Sequence, residues 1–176
     1  MTTSSMRTLR VATLALVLAV PGLVRAQATP DLSGLWTVDA GRSDSGLAPT
    51  PMPAGGRADD GVTLAANQIL ITQSPTELMV TQGTRAAVYK LDGTENWSPS
   101  LKSTARWDSA KLVITWKREA YLGPRAGQGA YETQTGTDVY GVTGNVLTVD
   151  KTMTTPRGTQ SGKIVYVKSS EQVTSR

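Results

Sequence analysis

From residue 68 to residue 168 the chain runs in short stretches of alternating apolar and polar side chains. Turn chemistry breaks them at intervals of about ten residues, the rhythm of an antiparallel meander. A period of two marks strands with one buried and one wet face. Leu112, Ile114 and Trp116 share one face, and Lys111, Thr115 and Lys117 share the other with Val113. Leu101, Ala105 and Trp107 oppose Lys102, Thr104 and Arg106, while Leu147, Val149 and Met153 oppose Thr148 and Asp150. Further strands are predicted over 34–38, 69–72, 78–81, 87–91, 131–135, 139–142 and 163–168. Asp92-Gly93 and Gly144-Asn145 supply strong turn signals. No useful helical stripe interrupts this pattern. The expectation is an all-β, up-and-down antiparallel meander of about eight or nine strands. A sheet with one apolar face must close on itself or fold over, so a barrel is the reading and a β-sandwich the alternative.

Two segments break the pattern. Residues 40–66 contain Pro49, Pro51, Pro53 and Gly55-Gly56 without periodicity, and read as a long surface excursion. It is a candidate contact arm or lid, or simply a mobile loop. Residues 1–26 read as a secretory signal peptide: Arg7 and Arg10 precede the apolar run 11–20, Pro21-Gly22 ends it, and Ala26-Gln27-Ala28 offers a cleavage site. A retained anchor is the alternative, although 14 apolar residues make about 21 Å of helix against about 30 Å of hydrocarbon. The expected domains are thus the leader 1–26, one barrel domain over 27–170 with the loop 40–66, and a polar tail over 171–176. The expected location is periplasmic or secreted, with a peripheral or anchored place at the membrane if the leader stays.

Charge then changes meaning. The full chain carries 18 basic and 14 acidic residues, but Arg7, Arg10 and Arg25 lie in the leader. Residues 27–176 keep 15 basic and 14 acidic side chains. A phosphate-binding surface needs clustered basic charge, so nucleic acid is not an expected partner. Composition removes more. With no His and no Cys there is no Ser-His-Asp or Cys-His nucleophile, no zinc finger, no disulfide and no lipidated cysteine. No cofactor is expected; haem would need Met, Tyr or Lys as axial ligand, and no haem motif is present.

Near the start of the domain, Asp31-Leu32-Ser33-Gly34-Leu35-Trp36 followed by a β-meander resembles the G-x-W opening of lipocalins and related calycin barrels. It is also similar to exported lipocalin-like bacterial domains. Thr137-Asp138-Val139-Tyr140 is similar to the lipocalin T-D-x-Y corner. The resemblance spans about 30–170 and implies structural roles for Gly34, Trp36, Asp138 and Tyr140, with Trp36 plugging one barrel end. The family's closing Arg, which packs on that Trp, has two imperfect counterparts, Arg157 and Lys168.

The aromatics expected to point inward and meet a ligand are Tyr89, Trp107, Trp116 and Tyr131, because a ligand cavity wants apolar walls with few polar groups. The alternative, that they simply fill a packed core as in many small barrels, is the more common case. Trp97 falls in a predicted loop, Thr94-Glu95-Asn96-Trp97-Ser98-Pro99, and is a candidate partner contact or a rim cap. Asn96-Trp97-Ser98 matches the glycosylation sequon but is discounted beside a bacterial-style leader. Asp59-Asp60 with Asp44 could meet a hard cation, but the spacing matches no EF-type loop and reads as a solvated acidic loop, so no metal site is predicted. Asp92 and Glu95 flank a turn and could in principle form a carboxylate pair; turn residues of this type serve the backbone. No acid, base and nucleophile align, and no enzymatic activity is expected. The expected function is binding of a small apolar molecule inside the barrel. The alternative is an accessory subunit docking on a periplasmic or membrane assembly.

Overall fold

The computed structural model describes residues 29–44, 64–98, 101–121, 123 and 131–170. The leader 1–26, most of the excursion 40–66 with Asp59 and Asp60, and the tail 171–176 lie outside these residues. Ten strands follow one another: β1 Gly34–Val38, β2 Gln68–Gln73, β3 Glu77–Gln82, β4 Arg85–Lys90 and β5 Asn96–Ser98, then β6 Leu101–Asp108, β7 Lys111–Tyr121, β8 Tyr131–Thr143, β9 Val146–Thr155 and β10 Gly158–Lys168.

Every pairing is antiparallel, in the order β4-β3-β2-β1-β10-β9-β8-β7-β6-β5. Each strand pairs with its sequence neighbour except at two places. β1 meets β10, with Trp36 opposite Lys168, and this contact turns the meander into a nearly closed barrel. Between β4 and β5 no ladder forms among the described residues, and the wall is drawn together there by the Asp92–Arg106 bridge and by the Gly93 amide donating to the Ala105 carbonyl at 3.0 Å. One ten-stranded sheet closing on itself is a barrel and not a sandwich, as the one-sided patterning predicted, with slightly more strands than expected.

The extra strand is β5, where the sequence suggested a loop; Asn96–Ser98 pairs with Leu101–Ser103. The predicted runs 131–135 and 139–142 are one strand of 13 residues, about 44 Å long at the antiparallel rise. Gly136 joins them. A Cβ there would run into the Trp116 indole and sit 2.6 Å from the Thr152 carbonyl oxygen, so only glycine lets the indole cross the strand.

Side chains alternate strictly, so register stacks them in rows. The inner row Trp107, Leu112, Tyr140, Val149 and Ile164 is apolar and mostly buried. With Trp36, Ile71, Leu78, Val80, Tyr89 and Leu147 it belongs to one continuous core. The next row is Ala105, Ile114, Asp138, Lys151 and Gly162; the one beyond is Ser103, Trp116, Gly136, Met153 and Gln160. Composition therefore changes along the barrel axis from apolar, through a buried ion pair, to a mixed rim. β7 to β10 are each 10–13 residues long, while β1 to β4 have only 5 or 6, so the long half of the wall projects past the short half.

Candidate functional site

The closed end is built around Trp36, fully buried, whose indole Nε1 donates to the Leu32 carbonyl at 2.9 Å. Residues 30–33 are tied across that end because the Leu32 amide donates to Gln73 Oε1 at 2.9 Å and Gln73 Nε2 returns a bond to the Pro30 carbonyl at 3.1 Å. The Lys168 ammonium stands 5.3 Å from the centroid of the Trp36 ring. Gly34 makes room for it: its φ of +138° lies where side chains are rarely tolerated, and a Cβ would come within 2.6 Å of Lys168 Cε. Of the two candidates for the closing cation, Lys168 packs on the tryptophan. The other, Arg157, approaches Glu132 at 3.8 Å and is largely exposed.

Midway along the axis lies the ion pair. Lys151 Nζ is 3.0 Å from Asp138 Oδ2, and the side chains are 8% and 0% exposed. Trp116 Nε1 donates to Asp138 Oδ1 at 3.4 Å. Burial pushes the Lys151 ammonium below the ordinary lysine range, against the pull of the carboxylate. Burial, helped by the Asp138 charge, pushes the Tyr89 phenol well above the usual tyrosine range and that of Tyr166 up to about 12. Asp138 and Tyr140 are both core residues, facing inward on β8.

Of the four aromatics expected inside, Tyr89 and Trp116 are buried and inward, and Trp107 is partly buried against the core. Tyr131 is placed differently. It lies on the outer face of β8, 67% exposed, with its ring centroid 5.4 Å from that of Tyr121 on β7. The sequence hid this because residues 131–137 alternate Thr with Glu, Gln and Gly, leaving no apolar set to fix the phase. Toward the rim, the Arg118 guanidinium lies 5.8 Å from the Trp116 ring centroid, and its Nε donates to Gln134 Oε1 at 2.8 Å.

Recesses mark the wall among the described residues. At the closed end, a groove of about 430 Å³ runs between Asp31, Ser33, Gln73, Leu91 and Trp107. At the β4–β5 seam, a notch of about 300 Å³ is floored by Tyr89, Leu101 and Ser103 and flanked by Val88 and Trp97. Trp97 is 68% exposed. Asn96 spans the seam by accepting from the Lys90 amide at 3.4 Å, and its buried Nδ2 has no hydrogen-bond partner among the described residues. The third recess, about 410 Å³, lies on the outer face of β6 to β9 and is lined by Glu95, Lys102 and Lys117 with six threonines.

The carboxylates are otherwise engaged. Asp92 accepts from the Thr94 amide and hydroxyl at 2.9 and 2.7 Å, which holds it below the usual carboxylate range, while Glu95 pairs with Lys102 at 3.5 Å. Asp44 accepts from the Lys163 amide at 2.7 Å and so extends the β10 edge. Among the described residues no group of three His, Cys, Asp or Glu side chains converges as a metal site would require.

Fold and recesses together define an all-β, nearly closed antiparallel barrel, compatible with a lipocalin-like one. No family model, curated protein or solved structure matches the chain.

Proposed function

We propose that the chain is an exported, non-enzymatic, lipocalin-like binding barrel that holds a small apolar molecule at its inner rim. The observation that supports this is the change in composition along the barrel axis. Beyond the Asp138–Lys151 pair, the inner face carries the buried Trp116 and the half-buried Met153 beside the polar Arg118 and Gln134. Apolar walls with a few placed polar groups are what a small-ligand site requires. Tyr89, Trp107 and Trp116 are the wall residues of this reading, and the leader directs the barrel to the periplasm or beyond. Native mass spectrometry of the protein isolated from its own host in mild detergent tests it. A constant small adduct on the barrel, lost in Trp116→Ala, is the expected result; a bare chain would overturn it.

A second reading, an accessory subunit of a periplasmic or membrane assembly, draws on the seam. There Val88 and Trp97 stand exposed on either side of two strands that do not pair with each other. Co-migration with a large assembly in the same spectrum would favour it.

A further inference from the structure

We propose that the outer trough over β6 to β9 binds an extended acidic polysaccharide, a function distinct from anything held inside the barrel. Register places Thr104, Thr115, Thr137 and Thr152 in one row across four strands, continued by Ser161 on β10. A second row, one side-chain repeat along, holds Lys102, Lys117, Thr135, Thr154 and Thr159. The hydroxyls therefore form a two-dimensional lattice, spaced about 4.8 Å between strands and about 6.7 Å along them. Each hydroxyl can both donate and accept, as each sugar hydroxyl can, so the lattice satisfies a glycan in many local orientations. Thr104 bonds Thr115 at 2.7 Å and Thr154 bonds Thr159 at 2.9 Å; Thr135 and Thr137 between them make no side-chain hydrogen bond among the described residues.

Threonine on an exposed strand face is also what β-propensity favours, so the hydroxyls alone would not carry the assignment. The aromatics add what propensity does not explain. Trp97 pairs with Lys102 and so stands on the same outer face at one flank, while Tyr121 and Tyr131 pack together at the projecting tip. From Trp97 to Tyr131 is three strands across and four residues along, roughly 20 Å, the reach of a short oligosaccharide. Exposed aromatic faces suit the apolar C–H faces of pyranose rings, as amphipathic rings suit half-wet surfaces generally.

Charge selects the class. Glu95 engages Lys102 at 3.5 Å and Glu119 accepts from the Thr133 hydroxyl at 2.8 Å, whereas Lys117, which lines the trough, makes no ion pair among the described residues. A carboxylate-bearing glycan would complement it. A protein partner would instead want an apolar centre, and a nucleic acid many more cations.

The test is calorimetric titration of the full chain with hexagalacturonate and, as the neutral control, cellohexaose. The acidic hexamer is expected to bind, and Trp97→Ala to weaken it about tenfold. Lys117→Gln should remove the preference for the acidic over the neutral sugar. The double variant Thr135→Val/Thr137→Val should weaken binding several-fold with an unchanged denaturation midpoint, since valine keeps shape and β-propensity while losing hydroxyls that make no side-chain hydrogen bond among the described residues. Binding of neither sugar, or binding untouched by Trp97→Ala and Lys117→Gln, would overturn the proposal. Equal binding of both sugars by the parent protein would overturn the acidic class.

Discussion

Removing one partner of the Asp138–Lys151 pair should be the most damaging single change in the barrel. Lys151→Met keeps the methylene stem and its packing but deletes the ammonium 3.0 Å from Asp138 Oδ2. The carboxylate is then left fully buried with the Trp116 Nε1 donor at 3.4 Å, a long bond. Stranding one charge of a buried pair costs about 3–5 kcal/mol, a large share of the roughly 5–15 kcal/mol that holds a domain folded. Asp138→Asn removes the carboxylate beside the ammonium instead and should cost less, because burial already favours the neutral form of Lys151. The double variant Asp138→Asn/Lys151→Met leaves no buried charge, and should lie within about 2 kcal/mol of the parent. Guanidinium denaturation followed by circular dichroism measures all four corners of the cycle. If Lys151→Met cost less than about 1 kcal/mol, or the single losses simply added in the double variant, the pair would not be coupled as its geometry demands.

Two other perturbations test different parts of the wall. Gly136→Ala should destabilise by about 1–3 kcal/mol or more, as overpacking does, because the new methyl meets the Trp116 indole and the Thr152 carbonyl; an unchanged denaturation midpoint would mean the indole does not cross the strand. Alkaline pH should weaken the barrel through its buried phenols. Tyr89 and Tyr166 have folded pKa values above the ordinary 10.0, with Tyr166 at about 12. Their contribution is therefore intact below pH 10.0 and is lost as pH rises toward 12, at about 1.4 kcal/mol per pH unit for each phenol. Lys151 acts in the opposite sense, its depressed pKa adding stability as pH rises, but only up to its ordinary 10.5. Denaturation midpoints should thus fall most clearly above pH 10.5, and a flat profile up to pH 12 would refute the assignment of both phenols to the core.

How much of this was legible depends on which side chains fix the phase of a strand. In β7 the alternation of Leu112, Ile114 and Trp116 with Lys111, Thr115 and Lys117 leaves one choice of inner face, and the structure adopts it. In β8 the first half offers Thr, Glu, Gln and Gly, all compatible with either face. The phase there is imposed from the second half, where Tyr140 is buried, and from the neighbouring Trp116 across Gly136. Pattern alone therefore cannot place Tyr131, which the cavity reading expects inside and which stands outside. The choice of Lys168 over Arg157 as the closing cation needs the 36↔168 register that closes the barrel, a contact between residues 132 positions apart. β5 escaped notice because three residues are too few to show a period of two.

The same lack of phase that obscured β8 bears on what the long strands are for. A strand that only closes a barrel needs to be no longer than its neighbours, and β1 to β4 manage with 5 or 6 residues. β7 to β10 continue well past them, and in that extension the inner face carries Arg118, Gln134 and Gln160 where a core would carry aliphatics. The extension beyond Trp116 buries few apolar side chains, so its stability comes from the four-strand ladder itself and from cross-strand polar pairs such as Glu119–Thr133 at 2.8 Å and Thr154–Thr159 at 2.9 Å. A sheet held largely by its own ladder, with polar side chains on both faces, is free of the demand that one face be wholly apolar. That freedom allows the hydroxyl lattice outside and the mixed Trp116–Met153 rim inside to occupy the same four strands, each with its own chemistry.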